Sequence, residues 1–376
     1  MIPLLFLTMG CEGPQLSDAF HQVNVTTVSS DAEVVNAFVE AIDGASARVS
    51  VLVPGLESDA LAQAIINAQA RGVDVTVATD VDARGQSGLS LLESASVPIR
   101  YANDAVSYFD FAINSSVFWT SEQVVMTHTM VVVDEIQVVN ASHLGAGEGS
   151  RFIWTARGED IAEDMDIEQN QIFGGSDASS RTAFDSLAKS VADLRWMYPT
   201  QTDHNLEIWL GPQERLVKRV IDHTYGARAN IWVMTNDLAD EGLIRALYAK
   251  RRDGFDVRVI VGPDFGRTSP NSSALLLRET PGLDKRQLTD AVVPTLIIID
   301  TMRDSLGRYN VARGMNVSHD LWSANRLFAG SEVLTDQLVD GSMWTLTDVT
   351  EPSGELLNMQ QVFEDAWDRA TPLLEE

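Results

Sequence analysis

The side chains best suited to chemistry are few. The chain has six histidines and one cysteine, and three of the histidines directly follow a serine or threonine. Asn140-Ala-Ser142-His143-Leu144 is echoed by Asn316-Val-Ser318-His319-Asp320-Leu321, and His128 stands between Thr127 and Thr129. A serine beside a histidine has the composition of a nucleophile and its base. Neighbouring residues of a strand point to opposite faces, however, so Ser142 and Ser318 are expected to face one way and His143 and His319 the other. The serines therefore read as structural hydrogen-bonding groups, expected to approach each other across a cleft. His128 reads as the outer face of its strand unless a bulge turns it inward. The acidic run Glu159-Asp160, Glu163-Asp164, Asp166, Glu168 lacks the spacing and turn glycine of a calcium loop, so it reads as a solvated helix face. No P-loop, dinucleotide fingerprint, His-Glu-x-x-His or Gly-x-Ser-x-Gly occurs, and no cofactor or metal is expected. Gly145-Ala-Gly-Glu-Gly149 has no helix after it to form a phosphate cradle and reads as a flexible turn.

The elements that would position these residues occur twice. Ser30-Asp31-Ala32-Glu33 is a capping box opening a helix with Val34, Val35, Phe38 and Ile42 on one face. A strand over 48–54, a helix capped by Ser58 and a strand over 73–78 follow. The same order returns as a helix over 213–225, a strand over 230–234, a helix over 240–252 and a strand over 256–261. Arg71-Gly-Val-Asp-Val75 falls on Asp253-Gly-Phe-Asp-Val257. A repeat this long is a duplicated domain rather than a solenoid unit. The fold class expected is α/β: two α/β/α halves related by a pseudo-twofold axis with a cleft between them. The divisions are residues 1–11 as a signal peptide and its cysteine, 12–29 as a tether, 30–197 as the first half, 198–205 as a linker and 206–372 as the second half.

Each half then supplies an apolar run ending in aspartate, Met126-Thr-His-Thr-Met-Val-Val-Val-Asp134 and Val293-Pro-Thr-Leu-Ile-Ile-Ile-Asp300. Here the chain resembles the phospholipase D superfamily over roughly residues 30–370. That family carries His-x-Lys-x4-Asp and a Gly-Ser-x-Asn strand in each half. The resemblance implies a site between the halves, where one histidine attacks phosphorus, the other protonates the leaving group and the lysines offset negative charge. Counting back from Asp134 and Asp300, the histidine places hold Thr127 and Val293, and the lysine places hold Thr129 and Thr295. All four reactive positions are replaced. Ser142 and Ser318 keep the serine of the second motif. Glu168 and Asp336 stand where active relatives carry an acid that orients the histidine; with no histidine at that place, both are expected to make structural hydrogen bonds.

Composition narrows the partners. Fifty-four acidic against twenty-seven basic residues give a net charge of -27, a field that repels phosphate backbones, so nucleic acid is not an expected partner. The first eleven residues, Met-Ile-Pro-Leu-Leu-Phe-Leu-Thr-Met-Gly-Cys11, resemble the end of a bacterial lipoprotein signal. Cys11 would then carry the lipid, placing the protein in the cell envelope, in the periplasm or on the outer-membrane surface, and outside the cytoplasm. The rival reading of this stretch is a short buried strand with an incidental cysteine. The expectation for function is a lipid-anchored phospholipase D-like pseudoenzyme whose cleft binds a small molecule or a protein. The alternatives are a divergent phosphodiesterase using His128, His143 or His319, and a purely structural interaction module whose cleft is filled by its own side chains.

Overall fold

A computed structural model describes residues 21–102, 105–110, 115–120, 124–145, 147–173, 197–201, 204–211, 216–266, 270–318, 321, 338–348 and 351–373. In the first half, β1 (Gln22–Val28) precedes α1 (Asp31–Asp43), β2 (Arg48–Val53), α2 (Asp59–Ala70), β3 (Asp74–Asp80), α3 (Ser87–Ser94) and β4 (Ile99–Ala102). Then come β5 (Ala105–Asp110), β6 (Ser115–Thr120), β7 (Val124–Met126), β8 (Met130–Val133), β9 (Gln137–Ala141), β10 (Arg151–Arg157) and α4 (Glu159–Phe173). The second half has β11 (Met197–Pro199), β12 (His204–Leu210), α5 (Leu216–Gly226), β13 (Asn230–Thr235), α6 (Glu241–Arg252), β14 (Asp256–Val261), α7 (Pro270–Arg278) and β15 (Asp284–Gln287). It closes with β16 (Thr295–Ile299), β17 (Ala312–Val317), β18 (Leu338–Asp340), β19 (Ser342–Asp348), α8 (Gly354–Arg369) and β20 (Thr371–Pro372).

The local signals act as expected. Ser30 caps α1 and Glu33 reaches back to the Ser30 amide, completing the capping box. Ser58 and Asp240 cap α2 and α6 through the amides of Leu61 and Leu243. The duplication is visible in strand order. One sheet runs β1-β10-β9-β8-β2-β3-β4, and the other repeats it as β12-β19-β17-β16-β13-β14-β15, with β11 and β20 added at its edges. β1 lies within the stretch read as a tether, and β11 within the stretch read as the end of the first half and the linker.

Alternation along the strands sorts side chains into layers. Val131 and Val133 join Phe38, Leu61 and Ile65 beneath α1 and α2; Ile297 and Ile299 join Val220, Leu243 and Leu247 beneath α5 and α6. The opposite faces, with Met130, Val132 and Trp154 from one sheet and Leu296, Ile298 and Trp344 from the other, form one shared core. Helices α4 and α8 contribute Ile161, Met165, Met359 and Phe363 to this middle layer. Trp154 and Trp344 occupy equivalent strand positions and meet with ring centroids 6.0 Å apart, marking the pseudo-twofold contact.

The pairing register also defines two ends. At one end Gln22, Arg157, Gln137 and Val133 are aligned across the first sheet, and His204, Asp348 and Ala312 across the second. His21 joins these two rows: its amide donates to Pro199 and its carbonyl accepts from Gln201. At the opposite end lie Thr127, Ser142, Val293 and Ser318. Here β7 and β18 pair in parallel across the halves, Val124 with Leu338.

Candidate functional site at the junction of the halves

Asp134 and Asp300 end β8 and β16 in the left-handed region, with φ of 52° and 56°. The conformation is uncommon for a residue with a Cβ and persists only where side-chain bonds hold it. Asp134 accepts from the amides of Ser46, Ala47 and Arg48 at 2.9, 2.7 and 2.9 Å. Asp300 accepts from Arg228 and Ala229 at 2.8 and 2.7 Å. Both carboxylates therefore tie the two central strands of their sheet together at the end far from the junction. Burial acts to raise the Asp134 carboxyl, but its bonds from Arg48, Ala47 and Ser46 outweigh this and hold it below the ordinary value. Asp300 is more deeply buried, and burial wins over its amide bonds and the nearby Arg313, so its carboxyl is raised.

At the other end the motif places close on one another. Thr127 Oγ1 and Ser318 Oγ lie 2.8 Å apart, one from each half. Ser318 Oγ also accepts from the Ser342 amide at 2.9 Å. Ser142 makes the equivalent bond in the first half, accepting from the Phe152 amide at 2.9 Å. The expectation that Ser142 and Ser318 would face each other is thus corrected: Ser318 meets Thr127, and the Ser142 hydroxyl is turned to its own sheet. Thr129 and Thr295, at the lysine places, are buried. Thr295 Oγ1 is 3.0 Å from Thr235 Oγ1, and its carbonyl accepts from Asn316. Val293 is buried in the shared core. The junction therefore has hydroxyl groups engaged with their neighbours, and Thr127, Thr129, Val293 and Thr295 supply it with no cation or base.

His128 departs from its expected place. Residues 127–129 lie between β7 and β8 outside regular strand, so face alternation does not carry through them. The ring is fully buried, with Nε2 3.2 Å from Glu168 Oε1 of α4. The outer-face reading is wrong, and Glu168 does have a histidine partner, one residue away from where the resemblance put it. The solvated-face reading of the acidic run holds for Glu159 and Glu163, which are exposed, and is corrected for Asp164, Asp166 and Glu168, which are buried on the inner face of α4. Asp160 pairs with His21 at 3.2 Å, Asp164 accepts from the Tyr198 hydroxyl at 2.7 Å, and Asp166 pairs with Arg48 at 3.0 Å and accepts from Ser50. Burial raises the Asp166 carboxyl against the opposing effect of Arg48. Asp160, Asp164 and Glu168 are spaced by four, one stripe of a helix; that spacing was the signal for a buried acidic face. No group of metal-ligating residues occurs among the described residues.

A feature not anticipated is the clasp on the glycine loop. Arg151 is fully buried and donates to the carbonyls of Gly145, Gly147 and Gly149 at 3.0, 2.8 and 3.0 Å. The Glu148 carbonyl accepts from the Val292 amide at 3.0 Å, so the loop of one half is held against the residue preceding Val293 in the other. His143 is exposed, with its ring against Gly145, and it forms no dyad with Ser142. His319, Asp336 and Cys11 lie outside the described residues.

No family model matches the sequence, and no curated protein matches it. Solved structures do. Phosphatidylserine synthase from Haemophilus influenzae Rd KW20 superposes with a TM-score of 0.58 at 12% identity, over 93% of this chain and 88% of its own. Polyphosphate kinase from Porphyromonas gingivalis superposes with a TM-score of 0.56 at 13% identity over 92% of this chain, which spans 50% of that kinase's length. At these identities the likeness is one of fold, and the fold is the duplicated phospholipase D-like α/β architecture.

Proposed function

We propose that this phospholipase D-like chain is a lipid-anchored pseudoenzyme that acts as a ligand-binding or interaction module. The observation that carries the reading is the 2.8 Å contact between Thr127 and Ser318. Where the resemblance puts a nucleophilic histidine, a threonine hydroxyl is hydrogen-bonded to the opposite half. A hydroxyl with no adjacent base is a poor nucleophile at neutral pH. The lysine places hold buried, neutral threonines, so a phosphoryl group entering there would find nothing to offset its developing charge. The net charge of -27 weighs further against polyanionic ligands and nucleic acid. A neutral or weakly anionic small molecule, or a protein, fits the junction better. Lipidation of Cys11 would hold the module at a membrane of the cell envelope; no helix among the described residues is long and apolar enough to cross one.

One observation favours a second reading. The buried His128–Glu168 pair has the composition of a histidine oriented by a carboxylate, the arrangement a divergent phosphodiesterase would need. In that reading the ring must turn from α4 towards Thr127. The two readings part in a turnover assay of the purified chain with a chromogenic phosphodiester and with phosphatidylcholine vesicles. The pseudoenzyme predicts no hydrolysis above buffer, and no change in His128→Ala, His143→Ala or His319→Ala. Hydrolysis that any one of these substitutions removes would overturn it.

A further inference from the structure

The large apolar side chains that stay exposed are unevenly distributed. Seven are exposed among the described residues, and five of them, Ile136, Tyr225, Met302, Leu306 and Leu357, fall at the end of the molecule opposite the motif places. Ile136 lies in the turn after β8, and Met302 and Leu306 in the connection from β16 to β17. Tyr225 is in the last turn of α5 before β13, and Leu357 in the first turn of α8 after β19. This is the end where His21 is bonded to Pro199 and Gln201, and therefore the end at which the chain from Cys11 arrives. His21 is ten positions beyond Cys11, a reach of at most about 35 Å.

The β16–β17 connection is built to hold its tip outward. Asp304 accepts from the amides of Leu306 and Arg308, both at 2.9 Å, and pairs with the Arg308 guanidinium at 3.0 Å. Arg303 lies over the Tyr309 ring at 4.2 Å and donates to the Gly307 carbonyl at 2.9 Å. Gly307 takes the positive φ of 76° that the turn requires. The result is a braced loop with Leu306 71% exposed at its tip and, on its flanks, Arg303 paired with Glu351 at 3.6 Å and Arg308 paired with Asp304. By strand order the β17 base of the loop is three strands from β11, whose Pro199 binds His21, roughly 14 Å across the sheet.

We infer that this end is a membrane-docking face, with Leu306 and Met302 entering the lipid interface and Arg303 and Arg308 beside the phosphate headgroups. A lipid anchor at the end of a tether holds the chain near the surface without fixing its orientation, and a protein-borne contact fixes it. Arginine suits this place, since its stem stays in apolar surroundings while its head meets phosphate. Docked this way, the protein presents the junction of its halves away from the bilayer, open to a ligand or partner. The inference rests on the lipid-anchor reading for its biological setting, but the face can be tested without it.

The test uses the full chain, coupled through its only cysteine to maleimide-bearing lipid in phosphatidylethanolamine–phosphatidylglycerol vesicles. An encoded dansyl amino acid replaces Leu306 in one sample and Glu57, exposed after β2 at the opposite end, in another. Lipids carrying a doxyl quencher then report contact. The docking face predicts that the probe at 306 loses most of its emission while the probe at 57 keeps it. With the probe moved to 302, Leu306→Asp should restore emission. Equal emission from 306 and 57 would overturn the inference, as would a partner-binding face that stays in water. The mass of the N-terminal peptide from bacterially expressed protein tests the anchor separately. An unmodified Cys11 there removes the anchor reading and leaves the docking face standing on the vesicle result.

Discussion

At the residue scale, the aspartates that end the two motifs survive for a structural reason. Asp134 satisfies three consecutive amides and so bears on the start of β2, the strand at the centre of its sheet. Asp134→Ala leaves those donors unpaired and puts alanine at a positive φ, so we expect a loss of about 2–4 kcal/mol in urea unfolding. Its carboxyl sits below the ordinary value, so the stability it supplies is full above the unfolded-state pKa near 4 and is lost as pH falls through the folded value. Asp300 has the opposite sign: its carboxyl is raised, so protonation favours the fold as pH falls. His223 is a third case. Burial, with Arg313 and Arg219, lowers it to about 4. Its neutral form stabilises fully above the unfolded value near 6.5, and that contribution is lost as pH falls towards about 4. Urea midpoints at pH 7 and pH 5 should therefore differ less in His223→Gln than in the parent. The aspartates were legible in the sequence because they end apolar runs. The partner of His128 was not, since counting faces along a strand fails where residues 127–129 leave it.

At the scale of elements, α4 was the least legible piece. Its many carboxylates suggested water, yet only Glu159 and Glu163 face it, and each acid in the four-residue stripe on the inner side meets a donor: His21, Tyr198 or His128. Buried charges are kept only where they are paired. His128→Ala would leave Glu168 without that partner, and we expect about 3–5 kcal/mol of destabilisation in a thermal or urea melt. The glycine loop shows the converse. Gly145, Gly147 and Gly149 all have positive φ, and a Cβ on Gly149 would collide with the Val292 carbonyl. Gly149→Ala should therefore loosen the contact between loop and second half, seen as faster hydrogen exchange at the Val292 amide; Arg151→Leu should do the same by removing the donor that gathers the three carbonyls. The sequence marked the loop as glycine-rich, but the arginine that organises it lies two residues beyond the last glycine and belongs to no motif.

At the scale of the whole molecule, the repeat of strand order, caps and aspartates made the duplicated fold readable from sequence, and the superposition on two solved structures agrees with it. How the halves meet was less readable. Contacts such as Thr127–Ser318 and Trp154–Trp344 join residues distant in the chain, and no local period encodes them. The surplus of acid is a property of the whole: at -27 the folded chain repels itself, and salt screens that repulsion. The melting temperature should rise as sodium chloride is raised from about 0.05 to about 0.5 M, over which the Debye length falls below about 5 Å. The central claim is that the frame of a phosphoryl-transfer site persists here without a nucleophile. The most direct test is to trap a covalent intermediate: the purified chain is mixed with a radiolabelled phosphodiester, quenched in alkali and searched for phosphohistidine. The account predicts no labelled protein. Label on His128, His143 or His319 would contradict it and identify a working enzyme.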